Sequence, residues 1–202
     1  HLHEDIAEAF ARYGTWIRIS IDGWNAESYA KIRNVKLTEF DMVINNMRNF
    51  ANLNSSCVLG INYVIDNQNY GHVLEFTKLM KDAGVNHMKI MGVLVSNDGR
   101  ESNQYHDAFR ESVYSQIEQA KLLEDGKFKI IDHYHEFPGR FDKEYKTCPS
   151  TKFVTIIGGD SKVYSCHDKA YTELGCLGSI ENKRFKDFWF SEENRKRIKE
   201  IN

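Results

Sequence analysis

The sequence is short of most features that would assign it quickly. Its 202 residues include four cysteines, too few to staple a chain of this length into a disulfide scaffold. Neither sign of charge dominates. The 27 Lys and Arg against 29 Asp and Glu leave −2, so no strongly basic face is implied and no nucleic-acid partner is expected. No apolar run approaches the roughly 18 residues of a membrane span, so no membrane partner is expected either. The opening His1-Leu2-His3-Glu4 has neither the basic nor the apolar region of a secretion signal, and it lacks an initiator Met. The expectation is therefore a fragment, or a chain stripped of its beginning, that works in the cytoplasm. No G-x-G-x-x-G or P-loop glycine run occurs. That counts against a small α/β enzyme holding phosphate or nucleotide at its strand ends, although it leaves the possibility open.

What remains is globular. Apolar residues make up 41% and charged residues 28%, enough to bury a sizeable core in one domain or one and a half. The first part alternates helical and strand periods. Glu4 to Tyr13 reads as a helix closed by Gly14, and Trp16 to Asp22 as a strand. Ala26 to Asn34 reads as a short helix. A longer one follows, capped by Thr38 with Asp41 three residues on, and buries Phe40, Val43, Ile44, Met47 and Phe50. Cys57 to Ile65 and His87 to Val95 read as strands, with a helix from Tyr70 to Ala83 between them. Gln104 to Leu123 reads as one long helix before a short strand, Lys127 to Asp132. Strand–helix–strand repeats of this length predict parallel strands and an α/β fold.

From about residue 133 the pattern changes. His133 to Gly139 reads as a linker between a first domain, 1–132, and a second, 133–202. Phe153 to Ile157 and Lys162 to Ser165 flank Gly158-Gly159-Asp160-Ser161 and predict a β hairpin. Leu177 to Ile180 reads as a turn, and Ser191 as the cap of a final helix.

Open α/β sheets bind ligands at the carboxyl ends of their strands. Those ends carry Ser20 and Asp22, then Asp66 and Asn67, then Ser96, Asn97 and Asp98. Such residues are also ordinary turn formers. Alternation puts Ser20 and Asp22 on one face, where a hydroxyl and a carboxylate could hold ribose hydroxyls or an α-amino acid group. Arg33, one short helix later, could fork onto a carboxylate, or simply end a solvated helix.

Cys148 and Cys166 bracket the hairpin with seventeen residues between them, so a folded hairpin could bring both thiolates to one metal, zinc or an iron–sulfur cluster. Cys176 could add a third ligand or pack in the core. His167 could ligate zinc beside Cys166. Cys57 reads as a small buried apolar residue. His133 and His135 share a face if their segment is extended, a possible divalent-metal pair.

Two stretches carry a family resemblance. Trp16-Ile-Arg-Ile-Ser-Ile-Asp-Gly23, with Ala26-Glu-Ser-Tyr29 and Lys31-Ile-Arg33, resembles the fourth strand and following helix of radical S-adenosylmethionine (SAM) enzymes. Cys148-Pro-Ser-Thr-Lys, then Ile156 through Cys166-His-Asp, Leu177-Gly-Ser-Ile180 and Phe185-Lys-Asp-Phe-Trp189, resembles the SPASM or twitch domain that carries an auxiliary cluster. The resemblance implies a partial (β/α) radical SAM barrel with parallel strands, followed by a small α+β twitch-like domain with a β hairpin. It implies an enzyme that reductively cleaves SAM to a 5′-deoxyadenosyl radical, with SAM and an auxiliary [4Fe-4S] cluster as cofactors. The implied partners are a small-molecule or peptide substrate and a reductant such as flavodoxin or ferredoxin. By the same analogy Ser20, Asp22 and Arg33 hold the ribose or methionyl end of SAM. Asn62, Asn67 and Val93 to Val95 line the adenine or substrate side, and Cys148, Cys166 and Cys176 hold the cluster.

Three departures stand against the family pattern. The Cys-x3-Cys-x2-Cys loop that binds the SAM-cleaving cluster is absent from the sequence, so this polypeptide alone is expected to be inactive. Ser161 stands where the hairpin turn usually has Gly, and the family's further cluster cysteines would fall beyond the final helix. The alternative is a non-catalytic zinc-binding or interaction module built on Cys148, Cys166, Cys176 and His167, a standard four-coordinate donor set. Strand edges left open by a partial barrel also predict self-association.

Overall fold

A computed structural model describes residues 2–96, 99–141 and 147–201. The chain divides into two compact units, His1–Phe141 and Asp142–Asn202.

In the first unit α1 (Glu4–Tyr13) leads into β1 (Trp16–Ser20). Gly14 ends α1, its N–H donating to Phe10 O at 2.8 Å, with extended rather than left-handed backbone. Next come α2 (Ala26–Arg33) and α3 (Thr38–Asn52). Asn25 and Ser28 form a reciprocal capping box on α2, and Asn34 closes it at φ 53 in the left-handed region that Asn tolerates. Thr38 does not cap α3: it lies inside the helix, and the Leu37 backbone before it is already helical.

β2 (Val58–Ile65), α4 (Val73–Asp82) and β3 (His87–Gly92) follow. The single long helix expected over 104–123 is two, α5 (Gly99–Asp107) and α6 (Arg110–Lys121). The break turns both His106 and Phe109 into the core, and Arg110 Nη2 satisfies the freed Asn103 carbonyl at 2.8 Å. β4 (Lys129–Asp132) completes a four-stranded sheet in the order β1-β2-β3-β4, every pair parallel.

The two faces of this sheet differ. Ile17, Ile19, Leu59, Ile61, Tyr63, Met88 and Ile90 join the main core with Phe40, Ile44, Met47, Phe76, Met80, Val113 and Ile117 from α3, α4 and α6. The opposite face carries Arg18, Ser20, Asn62, His87 and Lys89, all exposed or half-buried. Register sets Ser20 beside Asn62 and Asn62 beside Lys89. Gly60 is buried there because the His87 imidazole lies on its Cα, where any side chain would collide.

Residues 133–139 are not a linker. Tyr134 and Phe137 are 0% and 1% exposed, and the first unit runs on to Phe141. Two aromatic rings packed edge-on against His106 belong to a core, and polar neighbours in sequence disguised them.

In the second unit β5 (Ile156–Ile157), β6 (Lys162–Tyr164) and β7 (Cys176–Ser179) form an antiparallel sheet in that order. The hairpin is present with a four-residue loop. Ser161 adopts φ 59, at some strain for a residue with a side chain, where the resemblance leads one to expect glycine. The segment expected as a turn at Leu177 is the third strand. Gly178 has φ 152 and lies against the Phe188 ring, so a side chain fits neither the backbone nor the space. α7 (Phe185–Trp189) and α8 (Glu192–Ile201) cover the sheet, and Ser191 Oγ caps α8 by accepting from Asn194 N at 3.1 Å. Val163, Leu177 and Phe188 form this unit's small core.

Candidate functional site

The carboxyl ends of β1 and β2 meet around Asp22. Its Oδ2 accepts from Arg33 Nη2 at 3.0 Å, its Oδ1 from the Val64 N–H at 3.3 Å, and its backbone carbonyl from Asn69 Nδ2 at 3.1 Å. The Arg33 guanidinium also donates to Ser20 O at 3.1 Å, so α2 folds back onto the strand it follows. Burial pushes the Asp22 carboxyl above its usual value. The Val64 N–H and Arg33 oppose that shift, and nearby Asp66 adds to it. Ser20, Asp22, Arg33 and Asn62 thus share one corner of the sheet, since Asn62 is the register partner of Ser20 and its carbonyl accepts from Ile21 N at 3.2 Å.

Asn67 sits on the loop after β2. It is exposed, and its N–H donates to Tyr105 Oη at 3.0 Å rather than to any group of the Asp22 corner. Asn97 and Asp98 lie outside the described residues. Val93 O receives a hydrogen bond from His106 Nε2 at 3.0 Å, and Leu94 and Val95 expose apolar side chains after β3.

Sequence reasoning missed three residues here. Asn69 is fully buried and binds three backbone groups: Nδ2 donates to Val64 O at 2.8 Å as well as to Asp22 O, and Oδ1 accepts from Asp66 N at 2.9 Å. The only signal was a polar quartet, Asp66 to Asn69, that reads as any turn. Trp24 stacks flat on His72 at 4.0 Å, which no spacing rule anticipates. His106 is fully buried, with Nδ1 3.0 Å from the Tyr134 hydroxyl. In the neutral ring Nε2 donates to the Val93 carbonyl and Nδ1 accepts from that hydroxyl. Burial lowers its pKa accordingly.

None of the four cysteines is in a disulfide. Cys57 is buried, as expected, and burial raises its pKa. Cys148, Cys166 and Cys176 are half-buried in the second unit. The Ser165 N–H donates to Gly175 O at 2.9 Å, which brings the backbones leading into Cys166 and Cys176 side by side. Among the described residues no three of Cys148, Cys166, Cys176 and His167 have donor atoms within 4.8 Å of one another. A tetrahedral zinc ion with bonds of about 2.3 Å needs closer donors than that. A cluster spreads its thiolates over separate irons and asks less of them.

The expected His133 and His135 pair does not form. The chain turns at Asp132, whose Oδ1 accepts from the Tyr134 and His135 N–H groups, each at 3.1 Å. His135 instead joins Asp132 at 2.6 Å and Glu118 at 4.0 Å, the one group of donors with metal-ligand spacing among the described residues. Lys121 Nζ already sits 2.8 Å from Glu118 and 2.9 Å from Asp132. Burial raises the Asp132 carboxyl, but Lys121 and the His135 N–H outweigh it and the net shift is downward. The ammonium fills the place of a cation.

No family model matches the chain, and no curated protein is significantly similar. Solved structures similar in fold include three of one protein. A crystal structure of Streptococcus suis SuiB has a TM-score of 0.58 at 15% identity over 94% of this chain and 46% of that one. SuiB bound to S-adenosylmethionine gives 0.58 at 13%, over 94% and 45%. SuiB bound to the precursor peptide SuiA gives 0.52 at 13%, over the same shares. The chain therefore spans less than half the length of these neighbours. Its four-stranded parallel sheet and small antiparallel sheet match part of a radical SAM fold.

Proposed function

We propose that this chain is part of a radical SAM enzyme and that its first unit contributes the SAM-orienting corner of the barrel. The observation that carries this reading is the Asp22 corner, with Ser20, Asn62 and Arg33 gathered at the strand ends of a sheet whose fold matches a SAM-bound neighbour. The residues fit the ligand. SAM offers ribose hydroxyls, which a carboxylate and a serine hydroxyl accept from and donate to. It also carries a carboxylate and an ammonium, which a guanidinium and an aspartate can pair. Arg33 holds Asp22 in place and opposes the upward shift that burial gives its carboxyl. In the second unit Cys148, Cys166 and Cys176 are not in disulfides, and cysteine thiolates are the donors that hold an iron–sulfur cluster. When bound, such a cluster would supply one-electron chemistry, while the chain's own task is binding and orientation. The SuiA complex of SuiB supports a peptide as the substrate class.

Two readouts on anaerobically purified protein test this. Equilibrium dialysis should show one saturable SAM site, weakened by Arg33→Gln. Iron and acid-labile sulfide should be near equal and fall in Cys148→Ala and Cys166→Ala. No SAM binding together with one equivalent of zinc would replace this reading with the structural-site one.

A further inference from the structure

The last helix of the second unit borders a cleft of about 620 Å³, a volume typical of ligand sites. Trp189, Phe190 and Ile198 give it an apolar strip, and Phe190 is 63% exposed. Four cations, Lys152, Arg195, Lys196 and Lys199, share its rim with one carboxylate, Glu192. Arg195 lies 3.8 Å from Glu192, whereas the three lysines form no ion pair among the described residues.

Asn194 is 1% exposed and contributes to the same wall. Its Nδ2 donates to Trp189 O at 2.9 Å and its backbone N–H to Ser191 Oγ, but its Oδ1 is buried with no partner among the described residues. The cleft therefore asks for two things together: an apolar group and negative charge.

We propose that this cleft binds an acidic peptide segment in extended form. An apolar side chain lies on Trp189 and Phe190, and carboxylates pair with the rim. Arg195 and Lys199 stand about one helical turn apart, roughly 6 Å along α8. Carboxylates two residues apart on an extended chain have nearly the same spacing, about 6.6 Å. This site uses none of the SAM-corner residues, and it stands or falls separately from that reading.

The probe is a fluorescein-labelled Glu-Leu-Glu-Phe-Glu peptide titrated with the 202-residue chain, followed by fluorescence anisotropy. Gln-Leu-Gln-Phe-Gln is the neutral control. Binding is expected to be saturable, at least tenfold weaker for the control, and at least tenfold weaker in Arg195→Glu/Lys199→Glu. Phe190→Ser should weaken it about threefold. All three substituted residues sit on the surface, and circular dichroism verifies that the variants fold. Absence of saturable binding overturns the proposal, as does equal affinity for the two peptides or unchanged affinity in the charge-reversal variant. Tighter binding of a five-nucleotide oligo-dT, or of indole-3-acetate, also overturns it and reassigns the cleft to that ligand class.

Discussion

Arg33 Nη2 lies 3.0 Å from Asp22 Oδ2, so one guanidinium fixes the carboxylate at the end of β1 from the far end of the next helix. The two side chains are 39% and 22% exposed. An ion pair this open to water contributes about 1 kcal/mol or less to folding. Arg33→Gln should therefore leave thermal stability nearly unchanged. A charge-assisted hydrogen bond to ligand is worth about 1.5–3 kcal/mol, so SAM affinity should drop roughly ten- to a hundredfold. A large fall in Tm with unchanged affinity would make the pair structural.

Asn69 holds the loop after β2 to both strand ends. Asn69→Ala strands the Asp66 N–H and two carbonyls in a fully buried place. At about 1–3 kcal/mol for each orphaned group, the loss should reach roughly 3 kcal/mol in urea unfolding. A change below about 0.5 kcal/mol would mean that water replaces the amide without cost.

His106 should make the fold acid-sensitive. Its folded pKa lies below the ordinary value of 6.5, so the unfolded chain binds the proton more readily. Stability should then fall as pH drops below about 6.5. His87 is shifted the same way, by burial and by Arg18. The urea midpoint should decline from pH 7.5 to 5, and His106→Gln should flatten part of that slope. A parallel slope in the variant would contradict the assignment.

Asp125 predicts a second acid limb. Lys81 and the Lys127 and Phe128 N–H groups hold its pKa down to about 2 from 3.8. Its contribution is present above pH 3.8 and is lost as pH falls toward 2. Asp125→Asn should remove that part of the pH dependence while leaving the neutral-pH fold intact, as read by circular dichroism.

The sequence made the alternating helices and strands of the first unit legible because their apolar periods are long and clean, as in Phe40 to Phe50. The gathering of Ser20, Asp22 and Arg33 was legible too, since a short helix after β1 returns Arg33 to the end of that strand. Asn69 and Trp24 were not, because their partners are set by a loop that no periodicity describes. The break before Arg110 was hidden because both halves keep a helical pattern. β7 was hidden because four residues including Cys176 and Gly178 carry little strand propensity. Tyr134 and Phe137 looked like linker residues because histidines and Glu136 surround them.

The most direct test of the SAM corner is residue-resolved. Amide chemical shifts of the labelled chain would be followed while SAM is added. The account predicts saturable shifts confined to Ser20, Ile21, Asp22, Arg33, Asn62 and their neighbours, with the amides of α8 unmoved. Shifts that avoid this corner, or that leave it unchanged at saturating SAM, would contradict it.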